Sequence, residues 1–136
     1  MPQPYSWERC DVTYTAPAGW ARWIESVDRL SPVNLTPATG PADITLYWAS
    51  AGDPALLPNW VAYTYRWWVG ARLTSARVGV RFTPYSKPTL RHLVKHELLH
   101  ALGFDHAGDP TSVMHPEAAA TPLSPADRAA VRASRC

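Results

Sequence analysis

The run HELLHALGFDH, His96 to His106, places three of the chain's five histidines and one glutamate within a single short stretch. On a helix four residues turn about 400°, so His96 and His100 point the same way one turn apart, close enough to bind one ion. Glu97, one step past His96 and three before His100, flanks that ion and suits a base better than a ligand. A third imidazole cannot come from the next turn of a straight helix without swinging off the ion. Gly103 supplies a turn where positive φ costs little, and the chain can then bring His106 back. Three neutral imidazoles hold zinc and leave a fourth position for water, the open arrangement of a catalytic rather than a structural site. Five positions in register, His96, Glu97, His100, Gly103 and His106, separate this run from a helix that merely carries histidines on an exposed face. One catalytic zinc on His96, His100 and His106 is therefore predicted. With it in place a water becomes acidic near neutral pH, and Glu97 is placed to take its proton and hand it to a leaving amine. Peptide hydrolysis is the natural reaction. His92 lies one turn before His96, but a fourth ligand from the same helix would strain the geometry. It is expected in a surface or supporting role, as is His115.

The elements that must carry these residues are also legible. Pro88 and Thr89 mark a helix start, Leu90, Leu93, Val94, Leu98 and Ala101 repeat at helical spacing, and Gly103 offers a stop. Upstream, Trp20, Trp23, Ile24, Val27 and Leu30 give a first helix over about Ala18 to Leu30. Strands are predicted at Cys10 to Ala16, at Ala42 to Ser50 between Pro41 and the turn-like AGDP, and at Ser75 to Thr83. WVAYTYRWW, Trp60 to Trp68, reads as another strand ending at Gly70, with a helical reading still open. Ser124 can cap a last helix with Pro125 at its first position and Asp127 reaching back, running to about Ser134.

The whole chain bounds what this site can belong to. Its 136 residues suit one domain, 1–136, and 46% hydrophobic against 18% charged residues with seven tryptophans favours a packed core. The net charge of +2 comes with scattered arginines, which argues against nucleic acid as a partner. No apolar run is long enough to cross a membrane, and MPQPYSWERC, Met1 to Cys10, lacks the apolar core of a secretory signal. The two cysteines, Cys10 and Cys136, are too few and too far apart for a metal knuckle. They form either one bridge closing nearly the whole chain or two free thiols.

HELLHALGFDH matches the HExxHxxGxxH signature of the metzincin metalloproteases, and SVMHP, Ser112 to Pro116, resembles their Met-turn. Within that clan the chain is most similar to the matrixins. HALGFDH resembles their helix end, MHP their Met-Tyr-Pro, LSPADRAAV the start of their last helix, and ADITLYW their ADI strand. The likeness covers about Ala42 to Val131. It implies an α/β fold, a twisted mixed five-stranded sheet with two long helices and a C-terminal helix. It also implies a zinc-dependent endopeptidase with His96, His100 and His106 as ligands, Glu97 as general base, and Met114 as a hydrophobic floor that does not touch the metal. The substrate would lie along the strand edge Val61 to Trp68, with Val61, Tyr63, Tyr65, Trp67 and Trp68 as candidate subsite residues. HPEAAATPL after Met114 would wall the pocket for the residue following the cut. Leu99 departs from the family's usual glycine. No histidine precedes His92, and Asp53 is the only acidic residue between Asp43 and Glu97, so the family's structural zinc and calcium sites have no visible ligands.

The resulting expectation is a monomeric, secreted zinc endopeptidase acting on peptide or protein substrates. A cysteine pair favours an oxidising compartment. A zinc-bearing module that binds a peptide or wall polymer and cuts nothing is the alternative.

Overall fold

The computed structural model describes residues 1–136, and its strands join into one mixed six-stranded sheet. The elements in chain order are β1 (Ser6–Trp7), β2 (Asp11–Thr15), α1 (Ala21–Asp28), β3 (Asn34–Pro37), β4 (Ile44–Ala49), β5 (Ala62–Val69), β6 (Arg72–Arg81), α2 (Lys87–Ala101) and α3 (Pro125–Arg132). β2 lies between β3 and β4, β4 pairs with β6, and the short β1 pairs with the start of β6, all parallel. Parallel neighbours need a crossover, and α1 supplies the one between β2 and β3. β5 alone runs antiparallel, paired only with β6, so its outer edge is unpaired.

Alternation decides which side of the sheet is dry. Ile44 and Leu46 of β4 and Val78 and Val80 of β6 are buried in one core with Ile24 and Val27 of α1 and Val94 and Leu98 of α2. Leu99 is fully buried in the same core rather than directed to a surface. Trp7 fixes the end of α2 by donating its indole N–H to the Ala101 carbonyl at 3.0 Å. The opposite face carries a smaller cluster, Ala49, Leu56 and Tyr63.

The Cys10–Cys136 bridge is formed, with the two Cα atoms 5.0 Å apart. It ties the lead into β2 to the segment after α3, and loop closure sets an upper figure of about 4 to 5 kcal/mol for its contribution. No helix is long and apolar enough to cross a membrane.

Several expectations need adjustment. The sheet has six strands rather than five. β1 and β3 are two and four residues long and sit in proline-containing segments, too short to show alternation. Only α2, at fifteen residues, is a long helix. α1 has eight residues rather than the stretch Ala18 to Leu30, because Gly19 adopts φ +92° and the chain turns before Trp20. The strand reading of Trp60 to Trp68 holds as β5, Ala62–Val69, and the helical alternative does not. The hairpin of β5 with β6 turns tightly at Gly70, φ +61°, so β6 starts at Arg72 rather than Ser75.

Candidate metal centre and its cleft

α2 is built to present histidines on one flank. Ser86 caps its start by accepting from the Thr89 N–H at 3.3 Å, Pro88 lies in the first turn, and Val94, Leu98 and Ala101 bury the core side. The helix stops at Leu102, and Gly103 adopts φ +103°. A side chain there would be strained, and its Cβ would collide with the Tyr5 carbonyl, so glycine is required twice over. The reversal brings His106 back beside His96 and His100, and one ligand-capable nitrogen from each ring lies within 4.8 Å of the others. The ring centroids are 4.8 to 5.3 Å apart.

Two rings are oriented from behind. His96 Nδ1 lies 2.8 Å from the Val113 carbonyl and His100 Nδ1 lies 2.8 Å from the Phe104 carbonyl. A carbonyl only accepts, so each Nδ1 carries the proton and each Nε2 keeps its lone pair for an ion. Burial pulls both pKa values down to about 4, against the smaller upward pull of those carbonyls, with neighbouring imidazoles adding to the depression. Both rings are therefore neutral at pH 7, the form that binds a metal. The donor set fits a divalent transition ion, and three protein ligands in an open cleft leave room for another.

Glu97 is buried, 7% exposed, and burial pushes its carboxyl up to about 7 against the opposing hydrogen bond from Thr64. The Thr64 hydroxyl lies 2.9 Å from Glu97 Oε2 and 3.0 Å from the Glu97 carbonyl. A buried carboxyl held near neutrality beside three imidazoles is suited to taking and returning a proton.

The turn from Ser112 to His115 holds two of the histidine-bearing segments through its carbonyls. Met114 is fully buried, and its carbonyl accepts from the Ala107 N–H, next to His106, at 3.0 Å. Asp127 of α3 completes the predicted capping box with Ser124 and also takes bonds from the Ser112 hydroxyl at 2.6 Å and the Val113 N–H at 2.8 Å. The Val113 carbonyl in turn holds His96, so α3 reaches the site through two linked contacts.

These groups open into a cleft of about 530 Å³ between β5 and α2, bordered by Asn59 to Val61 on one side and Pro116 and Ala118 on the other. His96, Glu97, His100 and His106 all line it, as do Val61 and Tyr63. Tyr65 and Trp67 do not. The pleat sends Ala62, Thr64 and Arg66 toward α2, whereas Tyr63, Tyr65 and Trp67 form a row on the opposite face, with ring centroids 5.4 and 6.1 Å apart. Trp68 follows a register irregularity and packs against Tyr5. His92 is buried, not on the surface. It lines the cleft, and its Nδ1 donates to the Thr121 carbonyl at 3.1 Å, anchoring the segment after the turn. His115 is half-buried, its Nδ1 accepting from the Glu117 N–H at 3.2 Å.

Sequence reasoning missed Thr64, Arg66 and Arg81. Arg66 spans from β5 to the end of α2, donating to the His100 and Phe104 carbonyls at 3.4 Å and pairing with Asp105 at 3.2 Å. Arg81 holds the cleft rim through the carbonyls of Leu57, Pro58 and Trp60 at 3.0 to 3.2 Å, while Asp53 accepts from the Tyr63 hydroxyl at 3.1 Å. Period-two alternation along β5 was the available signal for Thr64 and Arg66; nothing local marked Arg81.

No protein-family model matches the chain, and no curated protein matches it either.

Proposed function

We propose that this chain is a zinc-dependent endopeptidase of metzincin type, similar to the matrixins. The observation that carries the reading is the convergence of three imidazoles with a buried, Thr64-bonded glutamate in an open cleft beside an unpaired strand edge. The HExxHxxGxxH spacing from His96 to His106 and the α/β architecture with α2 against β5 support it. His96, His100 and His106 would hold the ion. Zinc bound there supplies Lewis acidity toward a carbonyl and a water made acidic near neutral pH.

The chain's own residues do the rest. Glu97 stands next to His96 on α2 and lines the same cleft, so it would take a proton from the attacking water and return it to the departing amine. The free edge of β5 offers backbone N–H and C=O groups to an extended peptide, which orients the scissile bond along the cleft. Val61 and the backbone of Tyr63 lie along that track, buried Met114 accepts a backbone bond from Ala107 beside His106, and His92, Leu93, Pro116 and Ala118 bound the space beside the histidines. Tyr65 and Trp67 pack beside each other on the other face of the strand. A module that only binds would have no task for Glu97. The Cys10–Cys136 bridge suits secretion into an oxidising compartment.

The test is chelator-sensitive hydrolysis of a casein-type substrate by zinc-loaded protein. Glu97→Ala should keep one zinc per chain and lose nearly all hydrolysis. An unchanged rate removes Glu97 as the base, and no hydrolysis by the parent protein removes the endopeptidase reading.

A further inference from the structure

Two consecutive inward residues of β5 grip the site rather than merely border it. Arg66 reaches the carbonyls at the end of α2 and the Asp105 carboxylate, on the path to His106. Thr64, two residues earlier on the same face, reaches Glu97 itself. Its hydroxyl sits 2.9 Å from one carboxylate oxygen and 3.0 Å from the Glu97 carbonyl, and its single proton serves one of the two at a time.

A glutamate side chain has three rotatable torsions, and a base must meet its proton in one geometry. Glu97 has no salt-bridge partner and no side-chain bond other than the one from Thr64. Nothing else polar in the chain fixes which way its carboxylate faces. Thr64 is β-branched, on a strand held along its length by β6, so its own rotamer is narrow. A stiff donor therefore orients a flexible acceptor. The same strand offers the unpaired edge on which a peptide would lie, so one element would set both the track and the base.

We infer that Thr64 is a positioning residue for Glu97, holding the carboxylate in its working orientation through a hydroxyl bond from the edge strand. The inference rests on the endopeptidase reading for its kinetic consequence but not for its structural one.

The experiment uses the zinc-loaded full chain with Thr64→Val, which keeps the branched shape and removes the hydroxyl, and Thr64→Ser, which restores it. On a peptide that the parent protein cleaves, Thr64→Val should lower kcat on the order of 10- to 100-fold with KM within about 2-fold, and Thr64→Ser should recover to within about 3-fold. Zinc content should stay at one per chain in all three. Crystal structures of the zinc-loaded parent and variants give the second readout. The Glu97 carboxylate should be single and ordered with Thr or Ser at 64, and displaced or spread over rotamers with Val.

Three results overturn the inference: parent kcat in Thr64→Val, a loss carried by KM, or an unmoved, ordered Glu97 in Thr64→Val. Should Thr64→Val fail to fold, Thr64→Ala is read by the same two measurements. Should the parent protein cleave no peptide, the endopeptidase reading falls, and the crystallographic comparison still decides the role of Thr64.

Discussion

Asp127 lies outside the cleft, and its removal should nevertheless be felt at the metal. The side chain is 3% exposed and accepts from the Ser112 hydroxyl at 2.6 Å, the Val113 N–H at 2.8 Å and the Ser124 N–H at 3.0 Å. Asp127→Ala strands two buried donors, each costing about 1 to 2 kcal/mol, and removes the return half of the capping box, the bond accepted from the Ser124 N–H, worth about 1 kcal/mol. The expected loss is roughly 3 to 5 kcal/mol, and Asp127→Asn, which keeps one acceptor oxygen, should lose about half of that. Urea unfolding of the metal-free protein, followed by circular dichroism, reads the loss as a lower midpoint at constant slope. The same carboxylate fixes Val113, whose carbonyl orients His96, so zinc affinity measured against a competing chelator should fall by about 10- to 100-fold. A loss under about 1 kcal/mol, or an unchanged zinc affinity in a folded variant, refutes the chain of contacts from α3 to the ligand.

Opening the Cys10–Cys136 bridge with a Cys10→Ser, Cys136→Ser double substitution should lower stability by up to about 4 to 5 kcal/mol, read by urea unfolding; no change would show that the ring contributes nothing. The metal-free protein should lose stability on acidification. His96 and His100 have folded values lowered to about 4 from 6.5, so between those values the unfolded chain binds more protons and stability falls as pH falls. Glu97, raised to about 7 from 4.5, acts in the opposite sense, but one carboxyl faces two imidazoles, so the net trend is loss. Thermal melts from pH 7 to pH 4.5 should show a falling Tm that zinc raises at neutral pH. A flat or rising Tm contradicts the burial of neutral rings.

The convergence of His96, His100 and His106 was legible in sequence because its determinants are local. Helical periodicity aligns His96 with His100, and one glycine at φ +103° makes the return to His106 possible. The capping box of α3 was equally local, Ser124 and Asp127 being three residues apart. What Asp127 does besides was not legible, because its partners Ser112 and Val113 meet it only after the turn folds back on α3. Thr64 and Arg66 lie 33 residues or more from the groups they touch. The aromatic spacing in β5 was visible, but which face of the strand met α2 was not. Alternation defines two faces and leaves the choice to tertiary packing, where the smaller Ala62 and Thr64 fit against the helix. β1 and β3 escaped because a strand of two to four residues has no period to read.

The central claim is that His96, His100 and His106 converge on one divalent cation with Glu97 beside it and a position left open. Anomalous diffraction at the zinc edge from crystals of the zinc-loaded protein tests it directly. One peak should lie about 2.0 to 2.1 Å from a single nitrogen of each of the three rings, with no fourth protein donor. Rings splayed around no peak, zinc bound elsewhere, or a protein group filling the fourth position would contradict the account.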